Sequence, residues 1–573
     1  MDFLQQYEKW LAYEGLENEL REELLEIKDN EKEIKERFYS PLSFGTAGLR
    51  GIIRAGINGM NIYTVAQATQ GLAVLVNKEN RAGDGVIIAS DTRIKSDEFV
   101  KVCAEVLAAN GIKTFVFDAP RPTPELSYAL REMKAAAGIN ITASHNPKQY
   151  NGYKAYWSDG AQISPEQAVI VSDAINCVDI FTGVKRMDFD EGVKAGLINI
   201  IGKEIDEKYI NVVLEHRINP DAIPAVADNF KVVYTPFHGT GAKLIPEVLK
   251  RAGIKHLFTV SEQMIPDGNF PTVKSPNPED KEGFALGIEI AKKEGCDLLV
   301  GSDPDADRVG VILRKGDGEF IPLTGNQIGV MLISYIIEAR KLTGNLPNNA
   351  CVIKSIVSTP LADAICEANG VTLMEVLTGF KFIGEKMTEF EQTKEYTYIF
   401  GFEESYGYLC GNYARDKDAV SASMLIVEMA AFYAKKGMTL YDVLCGIFEK
   451  YGYYVEGVQN FAFQGVDGAD KMKALMQGLR DNAPSVVGGK DIVSFSDYKA
   501  SIKKNSDGTE EEITLPKSDV LLFVTECGDK IFVRPSGTEP KVKLYYLAND
   551  KTKEAVDAKI AEYTKDMTAL MLN

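Results

Sequence analysis

The sequence predicts an α/β protein in which three related domains with mixed sheets precede a smaller C-terminal α+β domain. An internal repeat is the first observation behind this expectation. The stretch Glu105-Val106-Leu107-Ala108-Ala109-Asn110-Gly111-Ile112-Lys113 is matched by Glu247-Val248-Leu249-Lys250-Arg251-Ala252-Gly253-Ile254-Lys255, and more loosely by Ala364-Ile365-Cys366-Glu367-Ala368-Asn369-Gly370-Val371-Thr372. The second observation is that an apolar run and a turn precede each copy, at 86–91, 231–236 and 351–360. The unit is therefore strand, loop, helix, glycine, strand. A glycine at the helix end permits a left-handed C-cap, and the β-rich residues after it return the chain to the sheet, as in a right-handed βαβ crossover. Thirdly, the last segment breaks the pattern: Val520 to Thr525, a Gly-Asp turn, Lys530 to Val533 and Lys541 to Leu547 read as strands, closed by a helix from about Lys553.

Taken in chain order, these elements divide into four segments. Near the N-terminus Leu4, Tyr7 and Leu11, then Leu20, Leu24 and Ile27, recur at helical spacing, which predicts two amphipathic helices packed as a cap on the first domain. Boundaries are expected near 205, between the strand-like Leu197 to Ile201 and a helix starting about Asp206; near 320, after an Asp-rich loop and its strand; and near 450. The expected domains are thus 1–205, 206–320, 321–450 and 451–573. At roughly 150 residues per domain, a chain of 573 residues agrees with this division.

Composition excludes several function classes. A formal charge of −18 and a pI near 5.0 argue against nucleic acid or an anionic membrane as the main partner, because a polyanion is repelled at long range. Any phosphate must therefore meet local positive charge. No apolar run reaches the roughly 18 residues of a membrane span, and Met1 to Trp10 lacks the regions of a signal peptide, so a soluble cytoplasmic protein is expected. The eight cysteines show no C-x-x-C spacing and the four histidines no ligand pair at helical spacing. Zinc and disulfides are not expected, and Cys103, Cys366 and Cys445 read as small core residues.

Four loops carry chemistry. In Thr142-Ala143-Ser144-His145-Asn146-Pro147 a turn of small residues after an apolar strand presents one hydroxyl, Ser144, to a ligand. In Asp303-Pro304-Asp305-Ala306-Asp307 three carboxylates at alternate positions of a tight inter-strand loop repel one another unless a cation sits among them, and hard oxygen ligands suit Mg²⁺. An EF-hand is excluded, since its sixth and twelfth positions fall on Arg308 and Arg314. In Gly401-Phe402-Glu403-Glu404-Ser405-Tyr406-Gly407, Glu403 and Ser405 point the same way if the segment is extended, which suits paired sugar hydroxyls. Upstream, Thr378 and Gly379 stand equally for a helix entry or a substrate contact. Finally, Arg534-Pro535-Ser536-Gly537-Thr538, with Lys541 after it, combines a guanidinium, two hydroxyls and backbone N–H groups around a glycine, the composition of a phosphate nest.

With these loops in this order, the chain resembles the α-D-phosphohexomutases, and within them the phosphoglucomutase and phosphomannomutase group. Further agreement comes from Gly45 to Gly51, from Ser90-Asp91-Thr92-Arg93 and from Asn151-Gly152-Tyr153-Lys154. The resemblance extends over nearly the whole length. It implies a heart-shaped enzyme of four domains around one cleft, each contributing one loop, and a Ser144 carried as phosphoserine with Mg²⁺ held by Ser144, Asp303, Asp305 and Asp307. A phosphoserine adds about −1.5 to −2 charges beside three aspartates, which a divalent ion makes tolerable.

The same resemblance implies the reaction. Phosphorylated Ser144 gives its phosphoryl group to the free hydroxyl of a phosphosugar held by Arg534, Ser536, Gly537, Thr538 and Lys541. A bisphosphate forms, turns over in the cleft and returns a phosphoryl group to the serine. Arg50 and Lys154 are similar to family residues near the transferring phosphate, and Arg308 to one that supports the sugar and phosphoserine. One departure concerns proton transfer: some members end the sugar loop in histidine, whereas this chain has Gly407. The next candidate is Lys417, which resembles a catalytic lysine of other branches; an exposed surface lysine is the alternative. His145 is expected to orient the loop. The length, the version of the sugar loop and the helical N-terminal extension look like the phosphoglucomutase branch that includes phosphopentomutases and bisphosphate synthases. Expected substrates are glucose 1-phosphate and glucose 6-phosphate, with glucose 1,6-bisphosphate as activator and intermediate and a monomer or homodimer as the working form. Mannose or pentose phosphates, and a sugar phosphatase that admits water, are the competing readings.

Overall fold

The computed structural model describes residues 2–45, 48–463, 468–536 and 541–572. The chain forms two compact units. One comprises Met1–Thr324, Gly384–Gln392 and Tyr406–Gly437; the other comprises Gly325–Ile383, Thr393–Ser405 and Met438–Asn573.

In the first unit a six-stranded sheet runs in the order Gly48–Ile52, Tyr150–Trp157, Ala137–Ile141, Val86–Ser90, Thr114–Phe117, Ile198–Ile201. The last four of these are mutually parallel, and Tyr150–Trp157 is antiparallel to both of its neighbours. Val86–Ser90 is buried throughout, as a parallel strand covered on both faces must be, which is why it reads as an unbroken apolar run. Ile139 and Ile141 join the apolar cluster of the helices Ile62–Lys78 and Ser96–Ala109. The opposite side of the same strand is close against Leu126 and Leu130 of the helix Thr123–Met133.

A second sheet in this unit has the order Phe320–Pro322, Val309–Arg314, Leu298–Ser302, Lys231–Thr235, His256–Thr259. Val309 pairs with Ser302 across an antiparallel register, so Asp303 to Arg308 is the tight turn between two hydrogen-bonded strands. The repeat is visible in the backbone: Gly111, Gly253 and Gly370, each following its helix, all adopt positive φ (73°, 111° and 68°), which a side chain would strain.

The N-terminal cap consists of three helices, Phe3–Ala12, Asn18–Glu26 and Glu31–Phe38, where the apolar spacing predicts two. The third starts because Asn30 caps it, its side chain accepting the Glu33 N–H. Trp10 lies edge-on to Phe38, Tyr63 and Phe181, and with Tyr7, Leu24, Ile34 and Ala55 forms the cluster that seats the cap.

In the second unit Thr372–Val376, Ala350–Ser355 and Thr397–Glu403 form parallel strands in that order. The C-terminal region is an antiparallel sheet ordered Tyr453–Ala462, Lys541–Asp550, Lys530–Pro535, Leu521–Thr525, Lys490–Asp497, Ile502–Asn505, Glu510–Glu512. One face is covered by the helices Gly468–Asp481 and Lys553–Leu572 through Met476, Leu479, Val556, Tyr563 and Met567. Its other face, with Leu522, Phe532 and Tyr545, packs against Ile356, Val357 and Leu377, which follow the strands Ala350–Ser355 and Thr372–Val376. Cys103 and Cys366 are buried as expected, while Cys445 is partly exposed. Among the described residues no helix is long and apolar enough to cross a membrane.

Candidate functional site

Ser144 stands three residues beyond the strand Ala137–Ile141 and has a left-handed backbone, φ 51°, which costs energy for a non-glycine residue and is held by its neighbours. Its N–H donates to Thr142 Oγ1 at 2.8 Å, and the Thr142 hydroxyl donates to Asp91 Oδ2 at 2.6 Å. Arg93 gathers the rest of the loop. Its guanidinium donates to the carbonyls of Ser144 and Asn146, and to those of Pro147 and Tyr150 at 3.0 Å each, while its Nε lies 3.2 Å from Asp91 Oδ2. The motif Ser90-Asp91-Thr92-Arg93, noted in the sequence without a role, is the clamp of the serine loop.

The Ser144 hydroxyl donates to Asp303 Oδ2 at 2.7 Å. Asp303 Oδ1 accepts the N–H groups of Asp307 and Arg308, which closes the acidic turn on itself. Asp303, Asp305 and Asp307 are all buried and each offers an oxygen within 4.8 Å of the others. Asp305 Oδ2 accepts from Lys154 Nζ and from the Thr123 hydroxyl, both at 2.8 Å, whereas Asp305 Oδ1 has no hydrogen bond. Asp307 repeats this asymmetry. Its Oδ2 lies 3.1 Å from Lys417 Nζ and 3.4 Å from Lys154 Nζ, and its Oδ1 has no hydrogen bond. Buried carboxylate oxygens without donors are costly unless something else meets them, and a hard divalent cation fits this all-oxygen set.

Burial and the charges of Asp305 and Asp307 hold the Asp303 carboxyl well above the usual range. Burial also acts to raise Asp305, but the Lys154 ammonium overrides it and leaves that carboxylate low. Removal from water, then the positive charges of Arg308 and Arg50, hold the His145 imidazole well below its ordinary value, so it is neutral. His145 Nδ1 lies 3.2 Å from Ser144 Oγ, and its carbonyl accepts the Ser275 hydroxyl. Arg50, exposed on the strand Gly48–Ile52, donates to Asn146 Oδ1 at 3.2 Å. Arg308 Nε is 3.8 Å from Asp307 Oδ1.

Lys417 is brought here by the segment Tyr406–Gly437, which belongs to the first unit. It is 8 % exposed, so the alternative of a surface lysine does not hold. Asp416 Oδ1 accepts its Nζ at 2.9 Å, and Asp418 next to it caps the helix Ala419–Ala434 through the N–H groups of Val420 and Ser421.

The remaining candidates lie in the second unit. Glu403 is the last residue of its strand and residues 404–406 form a turn, so the extended alternation expected to align Glu403 with Ser405 does not occur. Glu403 instead accepts the Gly379 N–H at 2.8 Å. Gly379, with φ 124°, leads directly into the helix Phe380–Thr393, and the Thr378 hydroxyl is buried without a hydrogen bond. Arg534 lies across from Lys543 in the strand register, and the Ser536 N–H donates to the Lys541 carbonyl. Burial and the neighbouring Glu403 carboxylate raise the Glu404 carboxyl, and the Arg534 charge acts against them. Gly537 and Thr538 lie outside the described residues. Sequence reasoning missed Thr123, which touches Asp305, and Asn140, which touches Thr123; the two prolines around Thr123 mark a helix entry but nothing in the sequence ties it to the acidic loop.

Family models described as phosphoglucomutase/phosphomannomutase alpha/beta/alpha domains I, II and III and C-terminal domain match residues 41–179, 207–316, 324–451 and 490–563. A phosphoglucomutase of Staphylococcus haemolyticus is 37% identical over 528 residues, covering 92% of this chain and 94% of that protein. A phosphoglucomutase of Staphylococcus aureus is 37% identical over 518 residues, 90% of each. Among solved structures, pp63/parafusin, a phosphoglucomutase from Paramecium in an open form, superimposes with a TM-score of 0.67 at 17% identity, over 93% of this chain and 95% of that one. A phosphoglucomutase/phosphomannomutase family protein from Burkholderia thailandensis gives 0.62 at 19% identity, over 92% and 97%.

Proposed function

Because this chain belongs to the phosphoglucomutase/phosphomannomutase family, we propose that it interconverts glucose 1-phosphate and glucose 6-phosphate through a phosphoserine at Ser144 and a glucose 1,6-bisphosphate intermediate. The observation that carries this reading is the meeting of Ser144 Oγ with Asp303 Oδ2 at 2.7 Å, beside two buried carboxylate oxygens that accept no hydrogen bond among the described residues. A hydroxyl so placed, in a loop clamped by Arg93, is built to carry a phosphoryl group next to a cation.

Asp303, Asp305 and Asp307 would hold Mg²⁺ together with an oxygen at Ser144. When bound, the ion supplies neutralisation of the phosphoserine charge and polarisation of the phosphoryl group. The residues of the chain account for the remaining work. In the forward half-reaction a sugar hydroxyl oxygen forms a bond to phosphorus as the bond from phosphorus to Ser144 Oγ breaks. Lys154 and Arg50 stand beside the loop to meet the charge on the transferring group. The proton that the sugar hydroxyl loses goes to Lys417, which serves as the base in its neutral amine form, and Ser144 Oγ gains a proton as it departs; the same exchange runs backwards in the second half-reaction. His145, neutral, orients the serine loop. Arg534, Ser536, Gly537, Thr538 and Lys541 hold the phosphate that is not transferred, Glu403 and Ser405 hold the sugar hydroxyls with Thr378 and Gly379 beside them, and Arg308 supports sugar and phosphoserine. The divisions 1–205, 206–320, 321–450 and 451–573 are the domains we assign to these tasks.

Incubation of the purified protein with Mg²⁺, glucose 1-phosphate and a trace of the 1,6-bisphosphate tests the proposal. It expects glucose 6-phosphate without free phosphate, and loss of turnover but not of ligand binding in Ser144→Ala. Stoichiometric phosphate release would make the chain a phosphatase instead. Faster turnover of mannose, ribose or deoxyribose 1-phosphate would reassign the substrate.

A further inference from the structure

Asp305 is held from behind by two residues that lie outside every loop assigned to the reaction. Thr123, the first residue of the helix Thr123–Met133, touches it twice: its N–H donates to the Asp305 carbonyl at 2.8 Å, and its hydroxyl donates to Asp305 Oδ2 at 2.8 Å. Asn140 Nδ2, on the strand Ala137–Ile141, donates to Thr123 Oγ1 at 2.6 Å. A hydroxyl has one proton to give. With Asn140 donating into its oxygen, that proton is committed to Asp305. Asn140 is paired in register with Lys154, which donates to the same carboxylate oxygen, so one pair of strands supplies both donors, Lys154 directly and Asn140 through Thr123.

Asp305 Oδ2 is thereby saturated and Oδ1 is left bare. The two donors differ in kind. Lys154 brings a positive charge that competes with a cation, whereas a hydroxyl turns the carboxylate without neutralising it. Asp307, the other ligand with an oxygen that accepts no hydrogen bond, is held on its far side, among the described residues, by the ammonium groups of Lys154 and Lys417. We propose that Thr123 is the positioning residue for the cation ligand Asp305, its hydroxyl, aimed by Asn140, fixing the carboxylate with Oδ1 toward the ion. This rests on the reading of the three aspartates as the cation site.

The test is Mn²⁺ affinity of the full chain, read from the electron paramagnetic resonance of the free ion, with circular dichroism and thermal midpoint measured alongside. Thr123→Val, which keeps the shape and loses the hydroxyl, is expected to weaken Mn²⁺ binding about ten- to hundredfold, as loss of an outer partner of a metal ligand does. Thr123→Ser, which keeps the hydroxyl, is expected to restore affinity to within about threefold of wild type. Equal affinity in wild type and Thr123→Val, or a Thr123→Ser variant as weak as Thr123→Val, would overturn the assignment. Should Thr123→Val not fold, Asn140→Asp carries the test. Its carboxylate draws the Thr123 proton away from Asp305, so binding must weaken despite the added negative charge, and unchanged or tighter binding would overturn the proposal. Wild type that binds no Mn²⁺, or Asp305→Asn that binds as well as wild type, would remove the cation site itself and not merely the role of Thr123.

Discussion

Gly407 and Lys417 share one volume: a Cβ on Gly407 would lie 2.1 Å from Lys417 Cδ and 2.6 Å from its Cγ. The lysine stem crosses the place where a side chain at 407 would begin, and its ammonium ends between Asp307 and Asp416. A lysine on this route and the histidine that ends the same loop in some members of the family exclude each other. The glycine at 407 is therefore the condition for the path that Lys417 takes.

Gly407→Ala is expected to push the Lys417 stem aside and lower kcat by about a hundredfold, with KM changed little, because proton transfer by a positioned side chain contributes about 10²–10⁴ in rate. Lys417→Met is expected to lose at least as much. Steady-state kinetics of the two variants and of the double variant form the check. If Gly407 acts through Lys417, the double variant is no slower than Lys417→Met, and fully additive losses would show that it does not.

Arg93 makes a second prediction. It is 3 % exposed and grips three carbonyls of the serine loop and that of Tyr150, where the next strand begins, while pairing with Asp91. Removing one partner of a buried pair costs about 3–5 kcal/mol. Arg93→Met is therefore expected to unfold at markedly lower denaturant concentration, and Arg93→Lys, which keeps the charge and loses the fork, to remain folded with slowed phosphorylation of Ser144. Intact-mass measurement of phosphoserine formation against denaturant titration separates the two effects. A fully active Arg93→Lys would show that charge alone suffices.

Much of this was legible in the sequence, and the parts that were not share a physical cause. The repeat with Gly111, Gly253 and Gly370 announces the α/β units because helix periodicity, a left-handed cap and an apolar strand are local signals. Ser144 and the three aspartates announce themselves because their chemistry is unusual at that spacing. The third N-terminal helix was missed because its face is mostly charged and a single capping residue, Asn30, restarts it. Thr123, Asn140 and the grip of Arg93 depend on which segments the fold brings together, and a threonine between prolines looks like any helix entry. The alignment of Glu403 with Ser405 failed because the strand ends at Glu403, one residue before a turn that periodicity does not reveal.

His145 yields a prediction about pH. Its folded imidazole is held well below the ordinary value by removal from water and by Arg308 and Arg50. As pH falls through about 6.5, the unfolded chain takes up a proton at this residue and the folded chain does not, so the residue makes folding less favourable in acid. In the folded enzyme it stays neutral there. The acid limb of kcat against pH is therefore expected to lie at the same position in wild type and in His145→Gln. A limb near pH 6.5 that vanishes in the variant would show that His145 does titrate during turnover.

The last prediction concerns how the C-terminal sheet is joined to the parallel sheet beside it. Lys354 is fully buried, with Nζ 2.5 Å from Asp363 and 3.2 Å from Glu375, and it donates to the carbonyls of Ser358 and Thr359. Glu375 also meets Lys530 of the C-terminal sheet at 3.4 Å. Burial acts to raise the Glu375 carboxyl, and Lys354 and then Lys530 override it and leave it low. One carboxylate thus carries a charge link beside an apolar interface that includes Ile356, Val357 and Leu377 against Leu522, Phe532 and Tyr545. Lys354→Met takes a shared partner from the half-exposed Asp363 and from Glu375, which keeps Lys530, and is expected to destabilise this unit by about 1–3 kcal/mol, through the lost charged hydrogen bonds and the Ser358 and Thr359 carbonyls left without a donor. Lys530→Met removes a half-exposed partner and is expected to cost only about 1 kcal/mol or less. A chain of this size does not unfold in one step, so scanning calorimetry with resolved transitions is the measurement. Lys354→Met should shift the transition of this unit and leave the other in place, and equal shifts for Lys354→Met and Lys530→Met would show that the apolar face alone holds the two sheets together.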